Sequence, residues 1–275
     1  MINSSAMINF VNDMNLLLPS HDLQNKYHLL GKYPYSLNGY TSDLAQYFSL
    51  KKEAVMKVNS AVEALSILDD GDVIWCQSMA ATPYKLLEGL KEIATQRKDL
   101  TLLQLHTEYS EILCDPELKG HLRQRAFFVG ASTRQAVNQG LADYVPIFLS
   151  EIPKLFRSGE QPLDAAIVQV SPPDKHGNCS LGISVEATRA ALQVAKKVVA
   201  WINPNMPRTH GDALISLKRF DRYYEEAAPI PLHQQPAQNP ITQKIGERVA
   251  GLIDDGDCLQ MGIGAIPDAT LACLH

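Results

Sequence analysis

The chain has 275 residues, 45% hydrophobic and 20% charged, which suits a globular protein of one large domain or two modest ones. A formal net charge of -5 excludes the clustered basic surface that nucleic acid requires. No apolar run is long enough to cross a bilayer, and five cysteines without a CxxC pair point to a reduced, cytoplasmic compartment rather than a disulfide framework.

Residues 1–46 read as an extension. They hold Asp13, Asp22 and Asp43 but no Arg, and lack the basic start and apolar core of a secretory signal. From residue 49, SLKKEAVMKVNSAVEALSIL places apolar residues at every third or fourth position and predicts an amphipathic helix. DDGD breaks it, and DVIWC (72–76) predicts a buried strand. TPYKLLEGL predicts a helix with Pro83 near its first turn. LTLLQL (100–105) and AFFV (126–129) read as further strands. ASTRQAVNQG reads as a helix between an N-cap at Ser132 and a stop at Gly140. DAAIVQV (164–170) predicts a strand, the segment from about Val185 a helix, and KVVAWIN (197–203) another strand. Helices alternating with continuous apolar strands imply an α/β fold, an open and mostly parallel sheet with helices on both faces.

The texture then changes. Residues 221–240 carry Pro229, Pro231, Pro236 and Pro240 and support neither period, so they read as a linker. Beyond them ITQKIGERVAGLIDD predicts a helix, and DDGDCLQMGIGAIPDA repeats the strand–turn–helix grammar of residues 69–83. Asp69-Asp70-Gly71-Asp72 faces Asp254-Asp255-Gly256-Asp257, and Pro83 faces Pro267 with a one-residue slip. A duplicated domain accounts for the shared order. The division this predicts is an N-terminal domain over 47–220, the linker over 221–240, and the start of a second domain over 241–275.

Three stretches carry candidate chemistry. In GIGAIP, Gly262 and Gly264 let backbone N–H groups approach a ligand, and the helix start beyond them suits a pyrophosphate or an oxyanion. The pattern is neither GxGxxG nor a P-loop, and a tight turn is the equal alternative. VQVSPPDKHGNCS brings Ser171, Asp174 and His176 to a strand's carboxyl end, where open α/β sheets bind ligands. Asp174 and His176 suit an acid–base pair or metal ligation, but no further His or Cys completes a metal set, so no metal site is expected; a hydrogen-bonded loop is the plainer reading. WINPNMPRTHGDA offers Arg208 and His210. Arg208 fits a substrate carboxylate or, as readily, a structural ion pair. His106 and Glu108 follow the strand LTLLQL and are placed to face the same cleft.

VQVSPPDKHGNCSLGISVE, INPNMPRTHGD, GLADYVPIFLSEIPKLF and MGIGAIPDA together resemble the acetyl-CoA hydrolase/transferase family, over roughly residues 50–275. The resemblance implies a class I CoA-transferase architecture of two similar α/β domains with the active site between them. It implies a CoA-transferase using acyl-CoA and a short carboxylic acid, such as acetate or 4-hydroxybutyrate, with no permanently bound cofactor and a homodimer when full-length. Residues Gly262, Ile263, Gly264, Ala265 and Ile266 match the family's CoA-binding loop. The family's nucleophilic glutamate lies about two dozen positions beyond that loop, in a G-[IV]-H-[ST]-E-like motif, and no glutamate here stands in it. The expectation is therefore an amino-terminal portion, inactive alone, with the catalytic glutamate beyond His275. An acetyl-CoA hydrolase and a non-catalytic CoA-binding fragment are the alternatives.

Overall fold

The strands run in order β1 (Met56–Lys57), β2 (Val73–Cys76), β3 (Leu100–Gln104), β4 (Leu122–Ala126), β5 (Ala142–Tyr144), β6 (Ala165–Val170), β7 (Asn178–Ser180), β8 (Lys197–Ile202), β9 (Leu214–Ser216) and β10 (Arg222–Glu225). The helices are α1 (Ala61–Leu65), α2 (Tyr84–Ala94), α3 (Ala131–Asn138), α4 (Ile152–Arg157), α5 (Thr188–Val194), α6 (Pro240–Ala250) and α7 (Ala265–Leu271), with short 3-10 turns between. They come from a computed structural model that describes residues 55–232 and 239–274. The expected extension, residues 1–46, and Gln234, Gln235 and Pro236 of the expected linker lie outside the described residues.

Eight strands form one sheet in the order β1-β10-β8-β6-β2-β3-β4-β5. Every pairing within it is parallel. Alternation along the central strands sorts side chains into two cores. Ile74, Cys76, Leu102, Ile167, Val199 and Trp201 meet Leu65 of α1 and Leu86, Leu87 and Leu90 of α2. Trp75, Leu103, Ala166, Val168 and Val198 meet Phe156 of α4 and Ala191 and Leu192 of α5 on the other face. Each Leu or Ile fully buried there is worth about 2 kcal/mol over exposure. This is the open parallel sheet, covered on both faces, that the sequence predicts.

Several elements differ from their sequence reading. The helix expected from residue 49 is, among the described residues, a two-residue strand followed by α1, because Ser60 caps the helix there. Glu63 N donates to Ser60 Oγ at 3.1 Å, and Glu63 Oε2 accepts from Asn59 N at 2.9 Å. AFFV is not the strand; LRQRA before it is, with Leu122, Gln124 and Ala126 buried and the two arginines out. Ser132 lies inside α3 rather than at its cap, which is Gly130, while Gly140 does end the segment at φ 73°. Residues 222–225, inside the expected linker, form β10 between β1 and β8.

The DDGD repeat is a structural repeat. Asp69 N donates to Asp72 Oδ2 at 2.9 Å, and Asp254 N to Asp257 Oδ2 at 2.9 Å. Gly71 and Gly256 take φ 81° and 92°. In each copy a helix pair crosses over a glycine: a Cβ on Gly89 would lie 2.9 Å from Ala61 Cβ, and one on Gly246 2.6 Å from the Ala269 carbonyl carbon. The copies part after the turn. Residues 73–76 enter the sheet, whereas 258–261 are not a strand, which corrects the expected repeat of that element. A strand forms only with a neighbour to share its ladder, and no described strand lies beside 258–261.

Candidate functional site

Strand order reverses between β2 and β6: β3, β4 and β5 extend the sheet one way, β8, β10 and β1 the other. The loops leaving the carboxyl ends of β2 and β6 therefore diverge to opposite faces, and the place between them is the crevice in which such sheets usually bind ligands.

Amide side chains line the floor of this crevice. Gln77, fully buried after β2, donates from Nε2 to the carbonyls of Leu181 and Ser184 at 2.9 and 2.8 Å, and its Oε1 accepts from Gln169 N at 2.8 Å. Gln169 Nε2 reaches Thr82 O at 3.0 Å, and its Oε1 accepts from Asn203 Nδ2 at 2.8 Å. Asn203 also holds Ala228 O at 2.9 Å. The ladder spans the tops of β2, β6 and β8 and leaves no amide unsatisfied, as a buried network must.

Above the floor, Met79 and Ala80 remain partly exposed. Met79 takes φ 56°, the left-handed region that non-glycine residues rarely enter. Aligned through DDGD, it occupies the position of Gly264, whose φ is 139°. Met79 N donates to His106 O at 2.6 Å, which brings the loops after β2 and β3 together. His106 packs its ring 5.2 Å from Phe128, and Glu108 N donates to Thr82 Oγ1 at 3.1 Å. Both expected residues thus flank the Met79 turn.

The other expected residues fall in two groups. β7 and β9 pair antiparallel and pin the loops 171–177 and 203–213 to each other. Ser171 is buried; its Oγ accepts from Ser180 N at 2.9 Å and donates to Pro172 O at 3.1 Å. Asp174 does not pair its side chain with the His176 ring. Its Oδ1 accepts the backbone N–H groups of His176 and Asn178 at 2.8 and 2.9 Å, and its Oδ2 accepts from Arg208 at 2.6 Å. Those N–H groups and the guanidinium hold its carboxyl below the usual carboxylate range. The geometry corrects the acid–base option for Asp174 and His176 and shows Arg208 in the structural ion pair. The side chains of His176 and His210 stand exposed on this loop pair.

Residues 262–266 lead into α7, with Gly262, Ile263 and Ile266 exposed and Gly264 and Ala265 partly so. In the first copy Gln77 stands where Gly262 does, and its side chain anchors the turn to the floor.

The sequence reading gave no site role to Gln77, Gln169, Asn203 and Glu186. The first three announce themselves as single amides in or directly after apolar runs, VIWCQ, IVQV and VAWIN. No thiol competes as a nucleophile here: burial raises the Cys76 thiol well above its usual range and pushes Cys179 up to about 12. A groove of about 510 Å3 lined by Leu100, Thr101, Leu122 and Arg123 opens at the amino ends of β3 and β4. We place the site at the carboxyl ends, where the switch point and the strained turn lie. No described helix is long and apolar enough to cross a membrane.

Residues 42–233 match the model of the acetyl-CoA hydrolase/transferase N-terminal domain. A Fasciola hepatica protein named succinyl-CoA:acetate/propanoyl-CoA:succinate CoA transferase is 44% identical over 218 residues, 77% of this chain and 45% of the relative. The 4-hydroxybutyrate coenzyme A transferase of Clostridium kluyveri is 48% identical over 157 residues, 57% of this chain and 37% of that protein. Among solved structures, RipA from Yersinia pestis superposes with a TM-score of 0.73 at 27% identity, over 80% of this chain and 53% of that one. A 4-hydroxybutyrate CoA-transferase from Porphyromonas gingivalis gives 0.67 at 31%, over 80% and 51%. The chain spans about half the length of the relatives it matches or less. With a sheet and switch point of this kind and a family model covering more than half of its residues, the chain belongs to the acetyl-CoA hydrolase/transferase family.

Proposed function

We propose that these residues form the amino-terminal half of a CoA-transferase that moves CoA between an acyl-CoA and a short carboxylic acid such as acetate or 4-hydroxybutyrate. The observation that carries the reading is the crevice at the switch point, floored by satisfied amides and walled by the Met79 turn and the His106–Glu108 loop, in a chain whose relatives bear CoA-transferase names. In the reaction, a glutamate carboxylate attacks the thioester carbonyl and expels CoA thiolate, leaving an acyl–glutamyl anhydride. The thiolate then attacks the glutamyl carbonyl and releases the acid, so that the enzyme holds CoA as a thioester. An acceptor carboxylate reverses these steps and leaves as the new acyl-CoA. Splitting one acyl exchange in this way needs neither metal nor external base.

No glutamate of this sequence stands in the family's nucleophile motif, so this half contributes binding and positioning while the nucleophile comes from polypeptide outside it. The backbone N–H groups of 262–266 are assigned to CoA, and the domain division at 47–220, 221–240 and 241–275 belongs to the same reading, with a homodimer for the full-length form and a cytoplasmic setting.

Calorimetric titration with CoA tests the binding assignment: saturable binding is expected. Gly264→Val forces a β-branched residue into a glycine-only conformation and is expected to weaken it about tenfold. Unaltered binding by that variant would remove the loop from the site. Acceptor dependence separates transferase from hydrolase, since CoA release from acetyl-CoA without an added acid is the hydrolase signature.

A further inference from the structure

We propose that Glu186 is a positioning residue that clamps the turn at residues 77–82 from beneath and so fixes the wall of the switch-point crevice. Its carboxylate gathers three hydroxyls, two from its own stretch and one from the loop after β2: Ser184 Oγ at 3.0 Å, Thr188 Oγ1 at 2.8 Å and Ser78 Oγ at 3.0 Å. Thr188 Oγ1 in turn accepts the indole N–H of Trp75 at 2.9 Å. One carboxylate therefore ties the loop after β2 to the start of α5, and through Thr188 to Trp75 of β2. The residue as a whole keeps some exposure, but its carboxyl is enclosed by these partners, and burial pushes it above the usual glutamate range against the pull of the hydroxyls.

Apolar packing alone would not select this arrangement, because an enclosed carboxylate is unfavourable unless fully bonded. What it holds is a strained element. Ser78 directly precedes Met79, whose left-handed backbone has no glycine to ease it. Gln77 below and Gln169 under Thr82 fix the rest of the turn. With every other residue of the turn tied down, Met79 and Ala80 are the ones presented to the crevice. The clamp's importance for ligand rests on the reading above that the crevice receives a CoA thioester.

Hydrogen exchange on the 275-residue protein, with Glu186→Ala and Glu186→Gln, tests the clamp. Glu186→Ala is expected to speed amide exchange at residues 78–82 about tenfold while the amides of β6 and β8 keep their protection. Glu186→Gln, which still accepts from the hydroxyls, is expected to restore most of the protection. Trp75 emission should shift in the alanine variant and much less in the glutamine one. CoA affinity measured on the same proteins should fall about tenfold for alanine and less for glutamine. Unchanged exchange at 78–82 in the alanine variant overturns the clamp, and loosened exchange with unchanged CoA affinity overturns its positioning role. Should the alanine variant not fold, Ser78→Ala, which removes the hydroxyl that joins the turn to the carboxylate, decides: exchange at 78–82 raised severalfold in it supports the clamp, and wild-type exchange there overturns it. Failure of the wild-type chain to bind CoA counts against the substrate reading alone, and the exchange at 78–82 then decides the clamp.

Discussion

The Glu186 carboxyl makes a signed prediction about stability. Its proton affinity is raised in the folded chain, chiefly by burial, above the ordinary glutamate value of about 4.3. Between that value and its folded one, the native state binds more protons than the unfolded state. This contribution is complete on the acid side and is lost as pH rises through the window. Asp174 has the opposite sign: bonded to the N–H groups of Asn178 and His176 and to Arg208, its contribution is present above about 3.9 and is lost as pH falls. Urea midpoints from pH 4.5 to 7 should therefore decline more steeply in the wild type than in Glu186→Gln; parallel curves would refute the assignment. Residues of this kind were only partly legible. Asp174, Arg208 and Ser171 were visible as chemistry-bearing side chains on loops, but Asp174 and Arg208 pair across 34 positions and Ser171 accepts from Ser180 N across nine, and a single sequence does not show which of two readings a distant partner selects. Glu186 stood in the sequence as a glutamate inside a predicted helix and outside the nucleophile motif, and its holding role was not legible, because the Ser78 hydroxyl it accepts from lies 108 positions away.

At the scale of elements, the two helix crossings are the most sensitive points. A side chain on Gly246 would enter the backbone of α7, and one on Gly89 would meet Ala61 of α1. Gly246→Leu should part α6 from α7 and expose the bond region around residue 250 to limited proteolysis, at a cost of about 1–3 kcal/mol locally. Gly89→Val should lower the main unfolding midpoint instead, since α1 and α2 pack on the sheet. A proteolysis pattern unaltered by Gly246→Leu would contradict the close crossing. The central strands were readable because burial on both faces makes them continuous apolar runs. β4 and β10 were not: Leu122–Ala126 alternates with exposed arginines, and Arg222–Glu225 carries two charges among prolines downstream. A parallel partner on each side, not composition, makes these segments strands. The DDGD turn was the reverse case, a short polar signature whose hydrogen bonds recur in both copies.

At the scale of the whole molecule, one parallel sheet is built and covered on both faces, and residues 239–274 repeat its DDGD turn and helix pair. In the first half Ile74, Trp75 and Cys76 are wholly buried; at the aligned positions Leu259 is 42% exposed, and Ile263, Ile266 and Leu271 are exposed around it. On the function proposed above, these residues supply the crevice and the CoA contacts, and none of their glutamates is the acyl-accepting carboxylate. The measurement that tests this most directly is CoA exchange between acetyl-CoA and 4-hydroxybutyrate, assayed with the purified 275-residue protein alone and after mixing with a separately produced carboxyl-terminal half of a family member. Exchange in the mixture and none from the chain alone is the expected result; sustained exchange by the chain alone would show that its own residues supply the nucleophile and would contradict the account.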